Sequence, residues 1–549
     1  MSTAMKTWIL NLLFLGGSLA VASWLTGRLI HPPEFGEPRT SGAAVSDSAG
    51  FQQTVHRVEE AWQTEWHSAG VVPVGPASDL TVARRLALAL TGTVPSLEEI
   101  RALEKHHGNE AVQWWLSHLF EDRRSSDYLA ERFARVLVGI EDGPFVLYRR
   151  HRLVSWLSDR IQVNQPYDAL VREIITAQGI WTSRPEVNFV TVTVDPNNQD
   201  EGPDEQKLAG RVTRAFLGVR LDCVQCHDDK LGGSWKQSDF HQLASFFAGT
   251  ELSLAGIRDN PAHTYGYRYL GKTDKQPVPA RVPFNEELLP DNGSLRERLA
   301  IWVTHPENRA FARTLVNRTW AILFNRPMIK PVDSIPLSGP LPTSMEILVD
   351  DFTEHRFDLQ RLVRIIASTR LFQMESRSPD LQNPVSSQQE LQFASFPLTR
   401  LRPEQIASSL LQSASLKTID AESHVLRRIQ RFFQQNDFIK RYGDIGKDEF
   451  DEFGGTIPQR LLLMNGGLIH ERTREDLFLN AATRIGALAP NEASAVDAAY
   501  LVTLTRRPTP EERSYFITRW KQSPRVKRSE QMEDLFWTLI NSTEFSWNH

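Results

Sequence analysis

Only two cysteines occur in 549 residues, too few for a disulfide scaffold, so whatever this chain folds into must be held by an apolar core. Both lie in one short stretch, Cys223 and Cys226, and His227 follows the second at once. The result is C-x-x-C-H, the spacing of covalent c-type haem attachment. Two thiols about one helical turn apart can reach the two vinyl groups of a porphyrin, and the adjoining imidazole reaches the iron from the same side. Composition alone would produce this arrangement about once in ten thousand such chains, so chance is a poor explanation.

The motif predicts one haem c, held covalently by Cys223 and Cys226 with His227 as the proximal iron ligand. Two other chemistries compete for the same residues. One is a local disulfide or redox pair. The other is a metal site built from Cys223, Cys226, His227 and Asp228 or Asp229, which would need a distant ligand because the chain has no second C-x-x-C. If haem is bound, His241 is the candidate sixth ligand, with Met328, Met345, His263 and Met464 as further candidates. A filled sixth position points to electron transfer and a vacant one to small-ligand or peroxide chemistry. Asp222, Asp228 and Asp229 flank the motif and are placed to tune the iron or to accept the imidazole hydrogen bond.

The N-terminal residues speak to location. Lys6 precedes an uncharged, mostly apolar run from Trp8 to Leu25, and Arg28 closes it. The run is long enough for a membrane helix, and Ala20-Val21-Ala22 within it also fits a secretory cleavage site. Either reading exports the rest of the chain, to the periplasmic side of the cytoplasmic membrane, anchored there or released after cleavage. Export and C-x-x-C-H agree, because c-type haem is attached on that side.

The body reads as mainly α, in two helical units joined by an irregular or partly β connector. Residues 1–28 form the signal sequence or membrane anchor, 29–54 a flexible linker rich in Pro, Gly, Ser and Ala, 55–250 the first unit with the motif, 251–290 the connector and 291–549 the second unit. Apolar periodicity predicts helices over Leu80–Leu90, Ala111–Phe120, Ser126–Val138, Arg150–Val163 and Tyr167–Gln178. Gly92 stops the first, and Pro95-Ser96 starts a fresh helix with acids in its first turn. The β-branched run Val187–Val194 predicts a strand. A helix from Lys207 is expected to deliver the cysteines, and a second from Trp235 to Phe247 to return over the site. Thr250 to Pro290, punctuated by Gly and Pro and carrying the aromatic piece TYGYRYL, is the connector. Helices resume over Leu295–Trp302, Ala310–Phe324, Met345–His355 and Leu359–Ser368.

Longer segments resemble the paired planctomycete proteins in which a cytochrome-associated domain of unknown function precedes a planctomycete secreted domain. The first unit carries the resemblance in RRLALALTGTVPSLEEI from Arg84, QPYDALVREIITAQG from Gln165, AFLGVRLDCVQCHDDK from Ala215 and WKQSDFHQLASFF from Trp235. The second carries it in HPENRAFARTLVNRTWAILFNRPMIKPVDSIP from His305, RFDLQRLVRIIASTRLFQ from Arg356, RPEQIASSLLQSA from Arg402, IPQRLLLMNGGL from Ile457, LTRRPTPEER from Leu504 and DLFWTLINSTEFSWNH from Asp534. The resemblance spans residue 55 to the end and implies an exported protein that works beside cytochrome modules in electron transfer or polymer processing.

Two classes of function follow. The first is an exported, membrane-tethered monohaem protein that exchanges electrons with a redox partner. The second is a non-haem scaffold or polymer-processing module in which the motif forms a disulfide or holds a metal. Asn317, Arg318 and Trp320, together with the fourteen tryptophans, raise extracellular polysaccharide as a partner, against the plainer reading of buried ion pairing and aromatic packing. A net charge of −5 with mixed signs argues against a nucleic-acid surface. With 67 acids and 15 histidines, no catalytic triad or carboxylate pair can be singled out, so enzymatic activity stays open.

Overall fold

The computed structural model describes residues 49–140, 150–195, 197, 202–229, 235–269, 272–378, 380, 382–419, 450, 480–523 and 525–549. The Trp8–Leu25 run and Met464 lie outside them. Among the described residues the chain is mainly helical with a few two-stranded pieces, and no helix there is long and apolar enough to cross a membrane.

Local signals explain most helix ends. Ser78 caps Asp79–Thr91 by accepting from the Thr81 amide, and Gly92 ends that helix in the left-handed conformation. Ser96 and Glu99 then form a capping box at the start of Leu97–Leu103. The expected helices appear as Gly108–Glu121, Arg123–Val138, Arg150–Gln162, Tyr167–Thr176, Leu295–Val303, Arg309–Phe324, Thr343–Glu354 and Leu359–Ser368.

The expected strand at Val187–Val194 is wrong. Pro185–Val187 is a 3-10 turn and Asn188–Thr191 a single helical turn. The Asn188 amide donates to the carbonyls of Trp181 (3.1 Å) and Pro185 (2.8 Å), closing the chain on itself. Val187, Phe189 and Val190 are fully buried, so packing on every side, without a strand partner, overrides β-propensity.

The connector is partly β, as expected. Thr250–Ser253 pairs antiparallel with Gly256–Asp259, and Gly266–Tyr267 with Gln276–Pro277. A further short pair joins Thr399–Arg400 to Trp547–Asn548.

The cores cut across the sequence order. One apolar cluster runs from Phe51 to Phe396, joined by Phe450, and takes in helices from before and after the connector. Thr343–Glu354 packs on Ala49–Ala69, Leu295–Val303 on Tyr167–Thr176, and Arg309–Phe324 on the turn at Thr213–Leu217. A second cluster joins Leu88, Val94, Leu97 and Ile100 to Leu401, Ile406, Leu410 and the helices beyond Ala481. Buried arginines stitch the seams. Arg296, 1% exposed, donates to the carbonyls of Ile175 (3.1 Å) and Ala177 (2.8 Å) at the end of one helix and to Asp259 (2.7 Å) on the hairpin. This frame fixes the base on which the C-x-x-C-H segment sits.

Candidate functional site: the Cys223–His227 turn

The approach to the motif is helical but stops short of it. Glu205–Val212 is α-helix, Thr213–Leu217 a π-turn, and Gly218 reverses the chain at φ +60°. The reversal is fixed because the Ile335 amide donates to the Gly218 carbonyl at 2.7 Å. The cysteines are therefore delivered by the 3-10 turn Leu221–Val224, not by the helix expected from periodicity. Gly218 is the physical reason, since its left-handed backbone ends the helix before the motif begins.

Within the turn the burial pattern sorts the residues. Leu221 and Val224 are buried, while Cys223, Cys226 and His227 are exposed. Both thiols are free. Phe216, Phe240 and Phe247, on the elements before and after the segment, are buried in the main core, each contributing roughly 1.5–3 kcal/mol by its burial.

The turn is pinned at several points. Arg214 grips Asp222 with two hydrogen bonds of 3.2 and 2.7 Å, and Arg220 pairs with Asp333 at 2.6 Å. Gln225, between the cysteines, is held through both its backbone and its side chain. Its carbonyl accepts from His241 Nε2 (3.0 Å) and Gln237 Nε2 (3.0 Å), and its amide donates to Gln206. Downstream, the Gln237 amide donates to Asp228 Oδ1 at 2.8 Å and the Asp229 amide to the Trp235 carbonyl at 2.9 Å.

His227 Nδ1 donates to the Asp228 carbonyl at 2.8 Å. A carbonyl only accepts, so Nδ1 carries a proton, and Nε2 is the nitrogen left to serve as a ligand. The partner is thus a backbone oxygen rather than any of the carboxylates of Asp222, Asp228 or Asp229. A bond from the far nitrogen to a carbonyl is a common way to orient a metal-bound imidazole.

His241 has a different surrounding. The Gln237–Ala244 helix carries it, as part of the expected returning helix, and buries it completely. Its Nε2 must donate to the Gln225 carbonyl, so its Nδ1 accepts from the Tyr265 hydroxyl at 2.8 Å. Burial pulls its pKa below the ordinary histidine value, the Gln225 bond opposing this, and the neutral form is favoured. Its ring stacks on Tyr267 with centroids 3.4 Å apart, and Tyr269 meets it edge-on. Both nitrogens are engaged, so ligating iron through either would first require breaking a bond. Of the further candidate ligands, Met345 is fully buried in the core, Met328 is half-buried, and His263 is exposed beside Glu251.

Among the described residues, no three histidine, cysteine or carboxylate side chains gather in a group able to hold a metal ion. Porphyrin attachment asks for something else, two thiols reaching separate vinyl carbons beside an imidazole. The exposed, free thiols and the exposed His227 suit that donor set, and half-buried Trp235, Tyr267 and Tyr269 pack on the main core.

Asn317, Arg318 and Trp320 do not face solvent. Asn317 both donates to the Ile329 carbonyl (2.9 Å) and accepts from its amide (3.0 Å), Arg318 donates to the Ala215 carbonyl (2.9 Å), and Trp320 stacks on Phe324. All three are buried, so the plainer packing role is the one the fold gives them.

Sequence reasoning missed Gln206, Gln225, Gln237 and the tyrosines. The alternation of Tyr265, Tyr267 and Tyr269 was a usable signal, since residues two apart share one face of an extended segment. The glutamines offered none.

Residues 57–252 match the family model PSCyt2, a protein of unknown function (DUF1549), and residues 295–443 match PSD1, a protein of unknown function (DUF1553). The two units stand in the order of the paired planctomycete proteins that the sequence resembles. No curated protein and no solved structure matches the chain.

Proposed function

We propose that this is an exported c-type haem protein with an electron-transfer role, carrying one haem on Cys223 and Cys226 with His227 Nε2 as the proximal iron ligand. The observation that carries the reading is the His227 Nδ1 bond to the Asp228 carbonyl, which leaves Nε2 as the nitrogen able to bind iron, in an exposed residue next to two free, exposed thiols. When bound there, haem would supply one-electron redox chemistry. The chain's own contribution is to hold the donors: Arg214 fixes Asp222 before the first thiol, Gln237 holds the carbonyl of Gln225 between the two, and the Gln237 backbone amide fixes Asp228 after the imidazole. The uncharged Trp8–Leu25 run supports export, with the chain anchored in the membrane or released from it on the periplasmic side.

The test is the absorption spectrum of protein exported from a host with c-type maturation machinery. The expected result is a c-type haem spectrum that survives denaturation and is lost in both Cys223→Ala and Cys226→Ala. A folded, colourless protein would defeat the reading and turn attention to a disulfide or scaffold role for the same residues.

A further inference from the structure

The engagement of both His241 nitrogens leaves a buried imidazole that the haem reading does not use. His241, Gln237 and Gln206 all converge on Gln225, the second of the two residues between the cysteines. His241 is held in turn from behind, by the Tyr265 hydroxyl and by the face of Tyr267. The contacts form a chain from Gln206 through Gln225 and His241 to Tyr265. On the other side of Cys223, the paired Arg214 and Asp222 fix the turn, and Gly210 lies so near that a Cβ there would come within 3.2 Å of the Asp222 Cβ. Both ends of the C-x-x-C backbone are thus fixed while its thiols remain unbonded.

We propose that His241 is a positioning residue that keeps Cys223 and Cys226 as a dithiol by holding the Gln225 carbonyl, so that closure to a local disulfide requires this bond to break. The inference goes beyond the haem reading, because it concerns the unloaded thiols and holds whether or not haem is attached. The exchange it opposes is ordinary thiol–disulfide chemistry. One cysteine thiolate attacks a sulfur of glutathione disulfide and releases a glutathione thiolate. The second cysteine thiolate then displaces the other glutathione and forms the Cys223–Cys226 bond. Two thiol protons are lost from the protein, and two glutathione thiols are produced.

The experiment equilibrates the full chain, expressed without haem maturation, in glutathione buffers at pH 7 and counts free thiols by alkylation and mass spectrometry. His241→Phe keeps the ring against Tyr267 and removes both hydrogen bonds. It is expected to shift the equilibrium at least tenfold toward the disulfide. His241→Gln retains a donor toward Gln225 and is expected to recover part of that shift, which a role in packing alone would not produce. Gln237→Leu removes a second donor to the same carbonyl from a half-buried position, and should shift the equilibrium at least threefold in the same direction. If His241→Phe fails to fold, Gln237→Leu decides. Folded variants whose equilibrium stays within twofold of the wild type would overturn the proposal, and the outcome does not depend on any haem measurement.

Discussion

Gly218 is the point where the helix ends and the motif begins, and replacing it with alanine has a cost that can be worked from the backbone and its surroundings. The residue sits at φ +60°, where a side chain costs roughly 1–2 kcal/mol. A Cβ there would stand 2.7 Å from Thr314 Oγ1 and 3.1 Å from Ile335 Cδ1, and overpacking of this kind costs about 1–3 kcal/mol. The Gly218 carbonyl also receives the Ile335 amide at 2.7 Å, which limits how far the turn can move away. The sum is about 2–5 kcal/mol of lost stability. Urea denaturation followed by circular dichroism measures it directly. The second leg of a double-mutant cycle separates the terms. Thr314→Ala in the Gly218→Ala background removes the nearest clashing atom and should return about 1 kcal/mol or more, leaving the conformational part. A Gly218→Ala loss below about 0.5 kcal/mol, or a cycle showing no coupling, would refute the argument that this turn is sterically fixed.

Other consequences follow from buried charge and protonation. Burial alone would raise the Glu99 carboxyl, but Arg124 beside it, helped by His118 and the Ser96 amide, holds it well below the ordinary carboxylate range. Glu99→Gln leaves the Arg124 guanidinium with Asp122 alone and should cost about 3 kcal/mol in urea denaturation, against under 1 kcal/mol for the partly exposed Asp222→Asn. For His241 the folded pKa is depressed, so the unfolded chain binds the extra proton first as the pH falls. Its contribution to stability is complete above the ordinary histidine pKa of about 6.5 and declines below it, by up to about 1.4 kcal/mol per pH unit. The stability gap between wild type and His241→Phe should therefore narrow from pH 7.5 to pH 5.5, and a constant gap would mean that the imidazole is not buried neutral.

The parts of the fold that were legible in the sequence are those written locally. Gly92 and the start at Ser96 mark helix ends through contacts only a few residues away, and the structure uses them as expected, while the Ser78 cap was not singled out. Val187–Val194 misled because β-branched composition reports a preference for half-buried pleated surfaces, whereas this segment is packed on every side and closed by Asn188. The Cys223–His227 spacing was legible as chemistry, but the turn that presents it was not. Its shape depends on Gly218 meeting Ile335, far along the chain, and on His241 meeting Gln225 and Tyr265. His241 illustrates the limit. A helix that returns over the motif suggests an iron ligand, yet only the hydrogen-bond partners of both nitrogens reveal that the ring holds the turn. Asn317, Arg318 and Trp320 are a similar case, polar and aromatic types that suit a sugar but are engaged in the core by the Ile329 and Ala215 backbones and by Phe324.

The central claim is that Cys223 and Cys226 carry haem covalently, and an intact-mass measurement on protein exported from a maturation-competent host tests it most directly. The account predicts a polypeptide heavier by the mass of one haem after denaturation, with the added mass mapping to the peptide that contains both cysteines. A denatured chain at the bare polypeptide mass, from a preparation whose circular dichroism shows the helical fold, would contradict it.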